Sequence, residues 1–390
     1  MENKLTKFLR SLKWLLQTEF KRQSEDAIET FLMMIFGHVF GIFTPNHLAQ
    51  TLKIDKNKIY RELKTWSPYQ MRRMFCEFGS REAIKEIKRI EKMSPATKSR
   101  YRITLTIDDT VIDRMGRLIK MTYNWYSGRW KKTVKGQNII GIAITIGNRV
   151  IPLSVRLVAK QGRGNTTKPE IFQQMLNELV ELFQNEGIDL NEFPISFDSW
   201  YASTDLVELL RDGYHFNQIL IHAKGNYIFT IDGTKGKLSG HKKEMELFSD
   251  QWGCSQTPVA RKSGESPTFG TATLLFFKAM NQIQCIMCFG RKLRSCEILS
   301  IWHQHHGIEY FWRCLKSDFQ YHCMRFRDKH GALLTLAIKV MAYFAFNCLG
   351  FKTTMTFRQI SIYIQQHFDV CSFFCEHFHL AHVYNPGHSG

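Results

Sequence analysis

The spacing of apolar residues changes once along the chain, near residue 100. Before this point apolar residues recur at helical spacing, first in Phe8, Leu12, Leu15 and Leu16 and then in Ile28, Phe31, Leu32 and Ile35. This pattern predicts an all-helical domain over residues 1–95. A basic connector with the helix breaker Ser94-Pro95 ends it.

After residue 100 the pattern becomes strand-like, with alternating or continuous apolar runs rich in β-branched residues. Strands are predicted at 101–108, around 118–126, at 138–147 and at 149–158, and the last two form either one bent strand or a hairpin. A helix at 169–185, a strand at 193–198, a helix at 204–212 and a strand at 216–223 follow. The stretch 224–291 shows strands and Gly-rich turns without a helical period, and mostly helical sequence follows it.

This order of elements predicts an α/β fold, in which a mixed sheet carries helices on its faces. The catalytic domain would span 96–330, with a β-rich insertion at about 224–291. A C-terminal helical region would occupy 331–390. The most apolar segment, 331–350, contains Lys339 and Asn347 and is interpreted as a buried helix rather than a membrane span.

A helix-turn-helix is predicted within the helical domain, over residues 44–66. Thr44 is a suitable N-cap before Pro45, and Asp55-Lys56-Asn57 would form the turn. The second helix would bury Ile59 and Leu63. Its outer face would carry cations for phosphate and base contacts, namely Lys58, Arg61 and Lys64. The competing interpretation is an ordinary helical hairpin with a basic surface.

The charge of the chain favours a polyanionic partner. Lysine and arginine total 53 against 35 acidic residues, which gives a formal net charge of +18. A surplus of this size raises affinity for nucleic acid, although it also keeps a basic protein soluble. No secretory signal is visible, and the ten cysteines are interpreted as reduced thiols of a cytosolic protein. Cys285-x-x-Cys288 lies in a predicted strand and is interpreted as core.

Two predicted strands end in aspartate. One is the run Thr104–Asp108, followed by Asp109, and the other is the run Phe193–Asp198. A carboxylate at the end of a buried strand is costly without a partner, and this edge of an α/β sheet is where ligands bind. Two such carboxylates from neighbouring strands are suited to hold divalent cations. For either one alone, a turn residue or a helix N-cap is the commoner interpretation.

A third acid, Glu309, lies on a predicted helix. Helical spacing places its cationic neighbours on the same polar face, namely His305, Arg313 and Lys316, and leaves an apolar face of Ile308, Phe311, Trp312 and Leu315. A solvated, salt-bridged surface has the same pattern. Three tryptophans are candidates for stacking on a displaced base, with core packing as the alternative, namely Trp200, Trp252 and Trp302.

Together these motifs resemble the DDE transposases of bacterial insertion sequences, over about residues 100–350. One branch of that family carries Asp-x-Thr after an apolar strand, matched by Asp108-Asp109-Thr110. It carries Asp followed by an aromatic residue, matched by Asp198-Ser199-Trp200-Tyr201. Its third motif, Tyr-x2-Arg-x3-Glu-x6-Lys, is matched in spacing by Trp302, His305, Glu309 and Lys316. Trp302 stands where the family has Tyr, and His305 stands where it has Arg.

The resemblance implies a ribonuclease-H-like fold and a cut-and-paste transposase that cleaves transposon ends and joins them to target DNA. The metal ligands would be Asp108, Asp198 and Glu309, holding two Mg²⁺ ions for which Mn²⁺ substitutes. DNA contacts would come from Trp302, His305, Arg313 and Lys316, and further backbone contacts from Lys131, Lys132 and Lys135. The protein would be bacterial, cytoplasmic and nucleoid-associated. It would act on DNA as a homodimer or larger synaptic complex, without a membrane partner.

Several alternatives stay open on the sequence. Asp109 competes with Asp108 as the first ligand, because adjacent strand residues point to opposite faces. The chain is either a transposase, a metal-dependent nuclease that cuts without joining, or a catalytically inactive DNA-binding protein acting through 44–66. The presence of all three acids argues against the last.

Overall fold

The computed structural model describes residues 2–114, 119–128, 130–159, 167–249, 257–349 and 356–380. Trp252, one of the candidate stacking residues, lies outside this set. The segment before the sheet is helical, as predicted. Its α-helices are α1 (Glu2–Glu19), α2 (Glu25–Gly37), α3 (Pro45–Leu52), α4 (Lys56–Lys64), α5 (Pro68–Glu91) and α6 (Pro95–Lys98).

The predicted helix-turn-helix corresponds to α3 and α4. Thr44 caps α3 as predicted, since its hydroxyl accepts a hydrogen bond of 3.1 Å from the amide of His47. The turn comes earlier than predicted. Lys53 adopts a left-handed conformation with φ of 53°, and Asp55 is the N-cap of α4 rather than the first turn residue. An aspartate fits both roles, because its carboxylate accepts an amide hydrogen bond in either.

The strands of the described residues belong to one mixed sheet. They are β1 (Ile103–Asp113), β2 (Tyr123–Ser127), β3 (Lys132–Ile146), β4 (Arg149–Leu157), β5 (Ile195–Phe197), β6 (Gln218–His222), β7 (Ile228–Ile231), β8 (Thr234–Lys237), β9 (Val259–Ser266), β10 (Gly270–Ala279) and β11 (Gln282–Gly290). Their order is β2-β3-β1-β5-β6-β11-β10-β9-β7-β8, and β4 also pairs with β3. The later helices are α7 (Lys168–Gln184), α8 (Thr204–Glu208), α9 (Leu238–Glu244), α10 (Ser295–His305), α11 (Gly307–Arg313), α12 (Lys329–Tyr343), α13 (Phe357–His367) and α14 (Val370–His377).

The centre of the sheet combines antiparallel and parallel pairs. β1 and β4 both pair antiparallel with β3, whereas β5 and β6 run parallel to β1. The sequence allowed either one bent strand or a hairpin over 138–158. The structure has a hairpin, because the chain reverses between β3 and β4 at Gly147, with φ of 60°. The mixed α/β architecture predicted from the order of elements is therefore confirmed.

The β-rich insertion lies between β6 and α10 and extends the same sheet. Strand β11 pairs antiparallel with β6, and β10, β9, β7 and β8 follow outward. The insertion also contains α9, which the sequence pattern did not predict. This helix spans seven residues and buries Leu238 and His241, too few apolar positions to show a helical period. Cys285 and Cys288 are buried in β11, as predicted.

The two faces of β1 carry different helices. Thr104 bonds to Gln304 of α10 at 2.6 Å, and Asp108 bonds to Trp312 of α11, so the even-numbered residues face α10 and α11. Asp109 bonds to Lys168 at the start of α7, so the odd-numbered residues face α7. The alternation of a strand therefore separates the two adjacent aspartates.

Helix α12 lies inside the molecule. Within residues 331–343 the side chains are buried almost throughout, which confirms the predicted buried helix. One apolar core continues from α1 through the sheet to the C-terminal helices, so the three predicted segments share it. In the described part of the chain, no single helix is long and apolar enough to cross a membrane. The pair 25–40 and 45–52 reaches that length and composition jointly, across a bend of 83°.

Candidate active site

Two of the predicted acids meet at one cavity. The parallel register aligns Ile107 of β1 with Phe197 of β5, so Asp108 and Asp198 follow at neighbouring positions. Asp198 directly follows β5, but the prediction that Asp108 ends its strand was wrong, because β1 continues to Asp113 through its pairing with β3. Both carboxylates line a cavity of about 770 Å³, together with Lys131 and Lys316 of the predicted DNA contacts. The structure therefore brings together four of the predicted residues from four separate parts of the chain.

Asp108 is a half-buried carboxylate on the face of α11. Its Oδ2 accepts a hydrogen bond of 3.0 Å from the indole nitrogen of Trp312. The Trp312 ring lies against Gly141, the residue opposite Asp108 in β3, where a Cβ would come within 2.7 Å of the ring. Burial and the neighbouring charge of Asp109 raise the pKa of Asp108 well above its usual value, and Glu309 adds to this effect. A positive charge placed here would be strongly favourable.

Asp109 points to the other face of β1 but lines the same cavity, and it already has its partners there. It receives a salt bridge of 2.7 Å from Lys168, a hydrogen bond of 2.5 Å from the amide of Asn138, and one of 2.6 Å from the hydroxyl of Tyr201. Burial and the charge of Asp109 raise the pKa of Tyr201 well above 10, so the phenol remains a donor. These contacts occupy both oxygens of Asp109.

Asp198 is held in its ionised form. Its Oδ1 accepts hydrogen bonds from the backbone amide of Ser199 at 2.6 Å and the Ser199 hydroxyl at 3.1 Å, and lies 3.7 Å from Nδ1 of His222. Burial opposes ionisation, but His222 and Ser199 outweigh it and lower the pKa of Asp198 to about 2. The carboxylate is therefore negative throughout the physiological range.

Glu309 lies at the start of α11 and does not line the cavity. Its carboxylate is 62% exposed and accepts a hydrogen bond of 3.1 Å from His306, which lowers the pKa of Glu309. The charges of Asp198 and Asp108 both act on it. Of the three predicted acids, Glu309 alone does not line the cavity formed by the described residues.

His305 does not share a polar face with Glu309, contrary to the helical spacing. The helix breaks at His306, between α10 and α11, and His305 is 4% exposed. Its ring stacks on Trp302 with centroids 4.3 Å apart, and its Nδ1 lies 3.2 Å from the Ser196 hydroxyl. Burial and the neighbouring His306 lower the pKa of His305 to about 4, so the ring is neutral at pH 7 and offers no charge to a phosphate.

The remaining predicted DNA contacts lie around this centre. Arg313 is exposed, with its guanidinium 5.3 Å from the centroid of the Tyr310 ring. Lys132 and Lys135 are exposed near the start of β3. Trp302 is half-buried, and its ring also lies nearly parallel to His222, with centroids 5.7 Å apart.

The predicted recognition helix α4 has the expected division of faces. Ile59 and Leu63 are fully buried, while Arg61 is exposed and Lys58 is half-buried. Lys64, also exposed, lies 3.8 Å from Asp328, which precedes α12. Arg61 and Lys64 on this basic face are exposed, and each lies beside a carboxylate, that of Glu62 and that of Asp328.

The sequence interpretation missed three contributors to the site. His222 ends β6 after an apolar run, so the strand-end signal that identified Asp198 also applies to it. Trp312 and Lys168 gave no such signal, because their contacts with Asp108 and Asp109 join distant segments. The sequence favoured core packing over base stacking for Trp200, and core packing was wrong. Trp200 is 72% exposed and lines the cavity, and Nζ of Lys224 lies 4.8 Å from its ring centroid.

The acids fit divalent cations in their chemistry, but their side chains are not gathered as metal ligands are. Carboxylate oxygens are the ligands that Mg²⁺ prefers, and burial together with the charge of Asp109 raises the pKa of Asp108. Among the described residues, however, no three His, Cys, Asp or Glu side chains are placed to hold one ion. Glu309, the third acid, is paired with His306 instead.

Comparison of the chain with models of known protein families gives no match. Comparison with curated proteins gives no match either.

Proposed function

We propose that this protein is a DDE transposase, which cleaves DNA and joins the freed 3′ end to a target strand in a metal-dependent reaction. The observation that carries this proposal is the shared cavity of Asp108 and Asp198, with Glu309 within electrostatic range of both. Acids from two parallel strands and one helix, placed where the parallel pairing of β1 and β5 ends, are suited to metal-assisted phosphoryl transfer.

The strand arrangement is compatible with the ribonuclease-H-like fold that the resemblance implies. An antiparallel unit of β4, β3 and β1 continues through two parallel strands, β5 and β6. The β-rich insertion follows β6 and precedes the helix of Glu309, the position that the resemblance implies. We therefore propose the ribonuclease-H-like assignment as the finer description of this α/β fold.

Asp108, Asp198 and Glu309 would hold the ions, expected to be Mg²⁺ with Mn²⁺ as a substitute. Bound there, divalent ions would activate the attacking oxygen and stabilise the leaving oxygen. Asp108 is preferred to Asp109 because both oxygens of Asp109 are already occupied by Lys168, Asn138 and Tyr201. Asp198 is prepared for the same role by His222 and Ser199, which keep it ionised.

The other residues of the cavity would bind and orient the DNA. Lys131 and Lys316 line it and are placed to neutralise backbone phosphates beside the acids. Trp312 orients Asp108 through its indole hydrogen bond. Trp200 presents an exposed ring at the same cavity and is suited to stack on an unpaired base.

The partner would be DNA, bound through the transposon ends and the target. Helix α4 would contribute duplex binding through Lys58 and Arg61. The resemblance further implies a homodimer or larger synaptic complex formed on DNA, and a bacterial cytoplasmic location at the nucleoid.

A cleavage and strand-transfer assay tests this proposal. Labelled duplex DNA from the borders of the gene is incubated with Mg²⁺, Mn²⁺ or Ca²⁺ and with wild type, Asp108→Asn, Asp198→Asn or Glu309→Gln. The matched control is Asp212→Asn, because that exposed acid pairs with Arg211 outside the cavity. We expect joined product with Mg²⁺ or Mn²⁺ from wild type and the control alone. Cleavage without joining identifies a nuclease, whereas binding without metal-dependent chemistry excludes an enzyme.

A further inference from the structure

A second cavity adjoins the acidic one. It has a volume of about 470 Å³ and shares Val111, Ser127 and Lys316 with its neighbour. Its other charged or titratable lining residues are Asp113, Arg114, His322 and Arg325. Three cationic side chains therefore face one carboxylate in this cavity. The resemblance to a known family assigns only Lys316 among them.

Arg114 is a buried cation without a carboxylate partner among the described residues. It is 2% exposed, and its guanidinium donates to the Gln137 side-chain oxygen at 3.0 Å and to the His322 backbone oxygen at 3.1 Å. It also lies 5.0 Å from the ring centroid of Tyr321. These partners are neutral, so they orient the guanidinium without compensating its charge. A buried charge left in this state is costly.

The cations of this cavity repel one another. Burial lowers the pKa of Arg114 and of His322, and Arg325 lowers both further. The Nε of Arg325 donates to the His322 backbone oxygen at 3.4 Å, again a neutral acceptor. Asp113 is turned to a different partner, because its carboxylate accepts a hydrogen bond from the indole of Trp130. An anion between Arg114 and Arg325 would relieve this repulsion.

The position of the cavity connects it to both proposed DNA-binding elements. Lys316 lines it and the acidic cavity alike. On its other side, Phe326 follows Arg325 in sequence and packs against Tyr60 of α4, with ring centroids 5.5 Å apart. The cavity thus adjoins the acidic cavity through Lys316, and the segment that carries Arg325 packs against α4.

We propose that the cavity of Arg114, Arg325 and Lys316 is a phosphate-binding site for one DNA strand. It holds one backbone phosphate of that strand while a neighbouring phosphodiester of the same strand enters the acidic cavity. This inference rests on the proposed function for the identity of the strand. The phosphate chemistry itself follows from the cationic lining. Paired guanidiniums are suited to bind a phosphate through two hydrogen bonds each.

The test measures binding without divalent metal, so cleavage is not needed. A fluorescein-labelled oligothymidylate of twelve nucleotides is titrated with wild type, Arg325→Gln and Arg327→Gln at several salt concentrations. Arg327 is the matched control, because it is exposed in the same segment but does not line the cavity. We expect Arg325→Gln to weaken binding about tenfold at low salt and to reduce the salt slope by about 0.7, the value for one phosphate of a single strand. The control should change neither.

Equal losses in Arg325→Gln and Arg327→Gln would overturn the proposal, because the effect would then be general surface charge. A second arm titrates inorganic phosphate by calorimetry. If wild type and Arg327→Gln release heat on binding phosphate and Arg325→Gln does not, the phosphate site is supported even if the protein binds no DNA. That result separates failure of the proposed function from failure of this inference. No heat in wild type, together with no selective loss of oligonucleotide binding, would refute the site.

Discussion

The carboxylate of Asp108 and the indole of Trp312 are joined by a hydrogen bond of 3.0 Å, across 204 residues of sequence. This contact orients a half-buried acid at the proposed metal site. It also links β1 to α11, the helix that carries Glu309.

The contact depends on the absence of a side chain at Gly141. In Gly141→Ala, the new Cβ would lie 2.7 Å from Cη2 of Trp312, so the ring must move away from Asp108. We expect a loss of about 1–3 kcal/mol in the free energy of unfolding, measured by urea denaturation, and weaker cleavage by the folded fraction. Gly240→Ala is the control, because a Cβ there meets nothing within 4 Å. Equal behaviour of the two variants would contradict this prediction.

Asp108 and Asp109 should respond oppositely to neutralisation. Asp108→Asn removes a half-buried charge that is repelled by Asp109, so we expect the free energy of unfolding at pH 8 to rise by about 1 kcal/mol while cleavage is lost. Asp109→Asn breaks the salt bridge with Lys168 and should lower stability by a similar amount. Thermal melts beside the cleavage assay measure both. Stabilisation by Asp109→Asn would show that the two roles are reversed.

His305 should make stability depend on pH. Its pKa falls from 6.5 in the unfolded chain to about 4 in the fold, so the unfolded state binds more protons between these values. Stability is therefore fully present above pH 6.5 and is lost as pH falls toward 4, by about 3 kcal/mol. Urea denaturation from pH 7 to 4 should show this loss in wild type. In His305→Gln the loss of unfolding free energy over this pH range should be smaller by that amount. If wild type and His305→Gln lose the same stability, the result would argue against a buried neutral imidazole.

Trp200 is expected to affect DNA binding without affecting the fold. Its side chain is 72% exposed beside the acids, so Trp200→Ala should leave the melting temperature unchanged. Loss of one stacked base corresponds to about tenfold weaker binding of a single-stranded oligonucleotide. Trp14→Ala is the control, since Trp14 is 64% exposed on α1 and does not line the cavity. Anisotropy titrations compare the two, and equal affinities would remove Trp200 from the binding surface.

Helix α4 should contribute to duplex binding through charge. The double variant Lys58→Gln and Arg61→Gln should weaken duplex affinity and reduce its salt slope by about 1.8, because two phosphate contacts are lost. Lys85→Gln, at an exposed position on α5, serves as the control. An unchanged salt slope in the double variant would leave α4 as an ordinary helical hairpin.

Much of the fold was predictable from local patterns. The buried pair Ile59 and Leu63, the cap at Thr44 and the buried helix after residue 331 followed from side-chain periodicity and capping chemistry, which act within a few residues. The approximate strand positions followed for the same reason. Short elements with few buried residues, such as α9, lack a readable period.

The sequence by itself determined that acids lie at the ends of apolar runs and that Asp108 and Asp109 point to opposite sides, since strand alternation is a property of the backbone. Only the tertiary structure decided which side faces α11 and which faces Lys168, because that depends on where distant helices pack. It also placed His305 in the interior, because α10 docks on the sheet through Gln304 and breaks at His306. Exposure, pKa and shared cavities arise from such long-range contacts, which residue spacing does not encode.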